Sequence, residues 1–210
     1  MTRVAVLKYG MGNIDSVVRA VEECGGRPVV AEGPGDLEGA GHIILPGVGA
    51  FAEGMVNITA RGFLPKLEEL VMNRGVPFLG ICLGMQVLAT KGWEGGETRG
   101  LGWVRGEVVR LIPYSPAERI PHIGWNNVLP EGSPPLFSGI PPGKDFYFVH
   151  SYHLACRDRG DIIATTPYCG SFASAVQKGN ILGVQFHPEK SQHAGFRLIR
   201  NFLAMERSHA

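Results

Sequence analysis

A cysteine framed by two glycines, Gly80-Ile81-Cys82-Leu83-Gly84, and a histidine two residues before a glutamate, His187-Pro188-Glu189, could do chemistry together. The cysteine follows a short apolar run, Val76 to Leu79, and leads into a helical pattern, Met85 to Ala89. Strand, Gly-x-nucleophile-x-Gly, helix is the arrangement of a nucleophile elbow, which exposes its central side chain on a sharp, strained turn. The glycines two before and two after leave room where side chains would collide. A thiol so placed stands at a strand end and at a helix N-terminus, which favours its thiolate. A lone cysteine is more often a small core residue, so the reading needs a base. A cysteine nucleophile requires one within hydrogen-bond reach, and the base requires a carboxylate to hold its tautomer. His187-Pro188-Glu189 offers both on a stiff segment, because Pro188 fixes its own φ and restricts the residue before it. Alone, His187 would be structural and Glu189 a solvated charge; with Cys82 they fit a Cys-His-Glu triad.

The elements that must position these residues are short and buried. Val4 to Leu7 reads as the first strand, ending in Lys8-Tyr9-Gly10-Met11-Gly12-Asn13 before a helix, Ile14 to Glu23. That turn has neither the GxGxxG nor the GKS/GKT spacing of a phosphate loop. Pro28 to Ala31 and His42 to Leu45 are further strands, and the latter runs into Pro46-Gly47-Val48-Gly49. Two glycines around one residue give a backbone able to turn its amides outward, as an oxyanion hole requires; an ordinary βα turn is the plainer alternative. Phe51 to Leu70 carries helical pattern, broken near Gly62 and Pro65. This order implies a doubly wound, mostly parallel α/β sheet with flanking helices, whose sites lie at the carboxyl edge. From Trp103 the chain alternates, then turns Pro-rich, which reads as a β-rich elaboration in the second half of one domain, 1–210. A final helix spans Ala194 to Glu206.

Composition excludes several classes. Hydrophobic residues make up 44% and charged residues 19%, with a net charge of +1. That is an ordinary globular balance, without the basic excess of a polyanion-binding surface. The N-terminus reads as a strand rather than a signal peptide, and no apolar run approaches a membrane span. Cys24, Cys82, Cys156 and Cys169 show neither CxxC spacing nor disulfide density, which points to a reducing cytoplasm. Neither His187 nor His150 has a second histidine or cysteine at metal-ligand spacing.

Gly80 to Gln86 with Phe186-His187-Pro188-Glu189 resembles the class I, triad-type glutamine amidotransferases, over essentially the whole chain. Pro46 to Gly49, Pro121-His122-Ile123-Gly124-Trp125-Asn126, Phe148 to Tyr152 and His187 to Ser191 resemble, more narrowly, the glutaminase subunits of imidazole glycerol phosphate synthases. Two positions depart from that pattern: Ile123, where Met is usual, and Lys8, where an acidic residue is common. The resemblance implies that Cys82 attacks the glutamine side-chain amide, that His187 protonates the departing ammonia, and that Glu189 orients His187. It implies an oxyanion hole from Gly47, Val48 and Leu83, and glutamine contacts from Gly49, Gln86, Glu94, His150, Ser151 and Tyr152. It implies no cofactor or metal. The implied partner is a cyclase subunit with a (β/α)₈ barrel, forming a heterodimer that receives ammonia in histidine biosynthesis. Met11, Gly12, Asn13, Trp125, Asn126, Tyr147 and Lys190 match the family's docking face. Another glutaminase subunit, such as that of pyridoxal phosphate synthase, would share the triad, but Pro121 to Asn126 and Lys190 argue against it. A catalytically idle scaffold would lack the nucleophile or base, and a cysteine peptidase on the same fold is a weaker third reading.

Overall fold

Val4 to Leu7, His42 to Leu45 and Phe78 to Cys82 are nearly continuous apolar runs, so each buries side chains on both faces of a sheet, as parallel strands covered on two sides must. The computed structural model describes residues 1–207; residues 208–210 of the expected single domain lie outside that range. The first half runs β1 (Arg3–Leu7), α1 (Ile14–Glu23), β2 (Arg27–Ala31), β3 (His42–Gly47), α2 (Phe51–Ala60), α3 (Phe63–Leu67), β4 (Phe78–Cys82) and α4 (Leu83–Gln86). The second half is richer in strand: β5 (Lys91–Gly92), β6 (Thr98–Arg99), β7 (Gly106–Arg110), β8 (His122–Pro130), β9 (Lys144–His150), β10 (Tyr152–Cys156), β11 (Ile162–Thr166), β12 (Phe172–Lys178) and β13 (Ile181–Val184), before α5 (Gln192–Leu203).

One nine-stranded sheet has the order β2-β1-β3-β4-β13-β12-β11-β8-β9. Its first five strands are parallel and the remaining four continue antiparallel. The expected α/β sheet is therefore present, but much of the β-rich second half extends that same sheet. A second, four-stranded sheet, β10-β7-β5-β6, completes the architecture. One face of the large sheet buries Ala5, Leu7, Ile43 and Leu45 beneath α2, α3 and α4. The other buries Val4, Val6, Ile44, Leu79 and Ile81 with residues of α1, α5 and an aromatic group around Phe146, Phe148 and Phe186. Among the described residues no helix is long and apolar enough to cross a membrane.

Several boundaries differ from the sequence reading. The strand expected over Val76 to Leu79 is displaced to Phe78–Cys82, which carries the cysteine on its last residue. The helix expected over Met85 to Ala89 is a single turn, Leu83–Gln86. The reason is competition for carbonyls: those of Val87, Leu88 and Ala89 accept from Leu101, Val104 and Gly102. Gly62, in the left-handed region at φ 71°, does separate α2 from α3, whereas Pro65 sits in the first turn of α3, where a missing N–H is tolerated. The alternating stretch after Trp103 forms a strand only over Gly106–Arg110.

Candidate active site

β4 pairs with β3 on one side and β13 on the other, so the ends of these three central strands meet at one edge. Cys82, last on β4, has φ 55° and ψ −108°, a conformation that costs a non-glycine residue of order 1–3 kcal/mol. Crowding explains the flanking glycines. A Cβ at Gly80 would lie 2.3 Å from the Gly84 carbonyl oxygen, and one at Gly84 would lie 1.8 Å from that of Leu45. The elbow is thus as read from sequence, but α4 is too short to supply the helix field expected to favour the thiolate. Sγ is 3.6 Å from Gln185 Nε2, which donates to it, and 3.9 Å from the Val149 carbonyl, to which the thiol donates.

Beyond the end of β13, His187 Nδ1 lies 2.8 Å from Glu189 Oε1, with both side chains 3% exposed. That contact places the proton on Nδ1 and leaves Nε2 as the working nitrogen. Nε2 is buried and has no hydrogen-bond partner among the described residues. Burial alone would lower the imidazole's affinity for a second proton; the proximity of Cys82 and Glu189 outweighs it and pushes His187 up to about 10. The turn is pinned from three directions. His187 N–H donates to the Tyr147 carbonyl (2.9 Å), Ser191 Oγ donates to the His187 carbonyl (2.6 Å), and Tyr147 N–H donates to Ser191 Oγ (3.1 Å). Gly195 in α5 approaches so closely that a Cβ there would lie 1.8 Å from the Pro188 carbonyl oxygen. Ser191 and Gly195 are positioning residues that the sequence reading missed. Their signal was present: a serine before a helix, and a glycine inside one.

Cys82 opens into a cavity of about 490 Å³. Val48, Gly49 and Leu83 bound it on one side, and Gln86, Glu94, His150, Ser151 and Tyr152 on the others. Ala50, Pro121 and Val149 line it as well and were not anticipated. Gly47 lies behind the cavity, where a Cβ would meet the Tyr9 hydroxyl oxygen at 2.3 Å. Three of the expected glutamine contacts are already engaged. Gln86 Nε2 donates to the Tyr152 carbonyl (2.8 Å) and to Gln185 Oε1 (3.1 Å). Glu94 Oε2 accepts from the Phe51 N–H at the start of α2 (2.9 Å). Both ring nitrogens of His150 are in hydrogen bonds, to Tyr152 and His122, and burial holds the ring neutral, lowered to about 3. A larger cavity of about 870 Å³, walled by Met55, Leu64 and Trp103, contains neither Cys82 nor His187.

The expected docking residues divide in two. Trp125 and Tyr147 stand opposite each other on β8 and β9 with ring centroids 6.0 Å apart, and Lys190 Nζ lies 5.7 Å from the Tyr147 ring. Asn126 alternates to the other side and meets His122. Asn13 is exposed and caps α1 through Ser16 N–H (3.4 Å). Met11, by contrast, is buried: its Cε occupies the space where Gly49 would carry a Cβ, while Gly12 packs on Pro46 and Gly47. Lys8, where an acidic residue is common, pairs with Glu32 at 2.7 Å on the surface. No group of three His, Cys, Asp or Glu that could hold a metal occurs among the described residues.

Comparison with known proteins identifies the family and the fold. The family model described as "Glutamine amidotransferase class-I" matches residues 6–205. A Moorella thermoacetica protein named imidazole glycerol phosphate synthase subunit HisH is 46% identical, over 96% of this chain and 94% of that protein. A Campylobacter jejuni protein named imidazole glycerol phosphate synthase subunit HisH 1 is 42% identical, over 96% of this chain and all of that protein. In fold the chain is similar to a crystal structure of a glutamine amidotransferase (TM-score 0.74, 21% identity, 95% of this chain and 96% of that one). It is equally similar in fold to a chain of PurLQS from Thermotoga maritima (TM-score 0.74, 20% identity, 97% and 98% covered). The chain belongs to the class I glutamine amidotransferases, in the family of the HisH subunits of imidazole glycerol phosphate synthase.

Proposed function

We propose that this chain is the glutaminase subunit of an imidazole glycerol phosphate synthase, acting as a single domain in the cytoplasm and passing ammonia to a (β/α)₈ cyclase. The observation that carries the reading is the Cys82 elbow opening with the Val48–Gly49 segment into one cavity, while the His187–Glu189 pair lies close enough to Cys82 for their charges to act on each other. Cys82 thiolate adds to the side-chain amide carbon of L-glutamine. The tetrahedral oxyanion is received by the backbone amides of Leu83 and of Val48 in the Gly47 to Gly49 segment. Imidazolium His187 gives its Nε2 proton to the leaving nitrogen, the C–N bond breaks, and ammonia departs from a thioester. Water, deprotonated by the now neutral His187, adds to the thioester carbon; collapse expels the Cys82 sulfur and releases glutamate. Glu189 holds Nδ1–H throughout. Glutamine itself is met by Gly49, Gln86, Glu94, Ser151 and Tyr152, with His150 ordering the wall behind them.

The partner face is formed by Asn13, Trp125, Tyr147 and Lys190, with Met11, Gly12 and Asn126 set behind it. Because Met11 and Gly12 press directly on the segment from Pro46 to Gly49, docking at that loop can set the Val48 amide. One missing oxyanion donor costs roughly 10²–10³ in rate, so the free subunit is expected to be slow. Glutamate release is measured with and without the cyclase and its nucleotide ligand, with Cys82→Ala as the blank. Release that rises steeply only with the liganded cyclase is expected; release indifferent to the cyclase would reassign the partner, and none under any condition would end the glutaminase reading.

A further inference from the structure

Gln185 has no part in the mechanism above, yet it is fully buried and touches the nucleophile. Which end of a buried amide carries the nitrogen is decided by its hydrogen-bond network. Here the decision is made at a backbone carbonyl, which can only accept. The Tyr152 carbonyl takes Gln86 Nε2–H (2.8 Å) and His150 Nδ1–H (2.9 Å). The NH₂ of Gln86 therefore faces it, and the other hydrogen of that NH₂ goes to Gln185 Oε1 (3.1 Å). Gln185 is left with its own NH₂ turned on Cys82 Sγ at 3.6 Å.

The far side of the network agrees independently. With its proton on Nδ1, His150 offers a bare Nε2, which accepts from His122 Nδ1–H (2.9 Å). His122 Nε2 then accepts from Asn126 Nδ2 (3.1 Å), and Asn126 is itself fixed because its Oδ1 accepts the Asn127 N–H (2.8 Å). Each ring carries one proton, and a second on His150 would set N–H against N–H. Donation from Asn126 through the two imidazoles and donation from Gln86 thus converge on the Tyr152 carbonyl.

We propose that Gln185 is a further catalytic residue of the glutaminase, an amide donor that holds the Cys82 sulfur as thiolate, its direction set by Gln86 and the Tyr152 carbonyl. The inference rests on the glutaminase reading. Its chemistry follows from the two contacts of Sγ. The Val149 carbonyl can bond only the protonated thiol, whereas an N–H bonds a thiolate far better than a thiol. The two contacts therefore favour opposite protonation states, and Gln185 is the one that gains when His187 holds the proton.

The test is the pH dependence of Cys82 alkylation by iodoacetamide in the full chain, followed by mass spectrometry of the Cys82 peptide. Gln185→Leu and Gln185→Met both remove the donor, and Met, unbranched and similar in length, serves if Leu impairs folding. His187, whose charge acts on Cys82, and Tyr9, whose phenol stays neutral near it, both remain in each variant. The profile is expected to move up by about one pH unit, so that alkylation near neutral pH slows about ten-fold. With the cyclase present, kcat for glutamine should fall by a similar factor while KM changes little. An unshifted profile in a variant that melts cooperatively overturns the role of Gln185, whatever the turnover. A shifted profile in a chain that never hydrolyses glutamine would instead keep the sulfur contact and remove the glutaminase reading.

Discussion

Replacing Gly195 by alanine separates the steric demands of the site from ordinary helix energetics. An alanine in a helix interior normally gains about 1 kcal/mol over glycine, so propensity alone predicts a more stable protein. At Gly195 the added Cβ would lie 1.8 Å from the Pro188 carbonyl oxygen, 2.7 Å from its carbon and 3.0 Å from Ser191 Cβ. More than an ångström must be opened against backbone that cannot swing aside. The turn it presses on is pinned by His187 N–H on Tyr147, by Ser191 Oγ on the His187 carbonyl and by Ser191 N–H on Pro188 itself. Overpacking ordinarily costs 1–3 kcal/mol, and an obstacle of this kind belongs at the upper end or beyond. After the propensity gain, a net loss of about 2 kcal/mol remains, or a Tm lower by about 4–8 °C for a chain of this size. Because the displaced atoms carry His187 and Glu189, turnover with the cyclase should fall as well, on the order of 10²-fold for an ångström of misplacement. Gly35→Ala is the control, since a Cβ there meets nothing within 4 Å. Thermal and denaturant melts of both variants decide the matter. A Gly195→Ala protein as stable as Gly35→Ala would refute the claim that α5 fixes the His187–Glu189 turn by close approach.

Glu189→Gln keeps the shape beside His187 Nδ1 but removes the charge and frees the tautomer; kcat should fall roughly 10³–10⁴-fold, read by glutamate release with the cyclase bound. Tyr9→Phe should stabilise the protein, because the Tyr9 hydroxyl is fully buried without a hydrogen-bond partner among the described residues. Removing it relieves about 1 kcal/mol, and a lowered melting temperature would show that the hydroxyl is bonded after all. Stability should also depend on pH in two windows. Burial lowers His122 to about 4 and His150 to about 3, with His42 and His153 shifted the same way. The unfolded chain therefore binds more protons below about pH 6.5, and stability should fall toward pH 4 by up to about 1.4 kcal/mol per unit for each such ring. His187, raised to about 10 despite its burial, acts with the opposite sign. Its contribution is complete below about pH 6.5 and is lost as pH rises toward 10. Urea midpoints across that range should form a dome, and a flat acid limb would mean the buried imidazoles ionise freely in the fold.

The elbow and the His187–Glu189 pair were legible because their constraints are local. Glycines two residues either side of Cys82 are demanded by the crowding of one turn, and His187-Pro188-Glu189 sets its pair within three residues. The Val48–Gly49 segment was legible for the same reason, as was α1, whose bounds the sequence gives residue for residue. What stayed hidden depends on pairing. Nothing in the spacing of Met85 to Ala89 reveals that a loop from Leu101 to Val104 takes the carbonyls a longer helix would need. Met11 was read as part of a docking face, but its side chain fills the space above Gly49, in the loop that follows β3. Gln185 did leave a trace, a polar residue inside the apolar run Ile181 to Phe186, yet its meaning appears only once β4 and β13 lie side by side. His122 and His150 are the extreme case. Twenty-eight residues apart in sequence, they meet only because β8 and β9 pair with these two histidines opposite each other. A slip of one residue would send either ring to the other face of the sheet. The contact between the two imidazoles is thus a property of strand register, and it can be read only where the register is known.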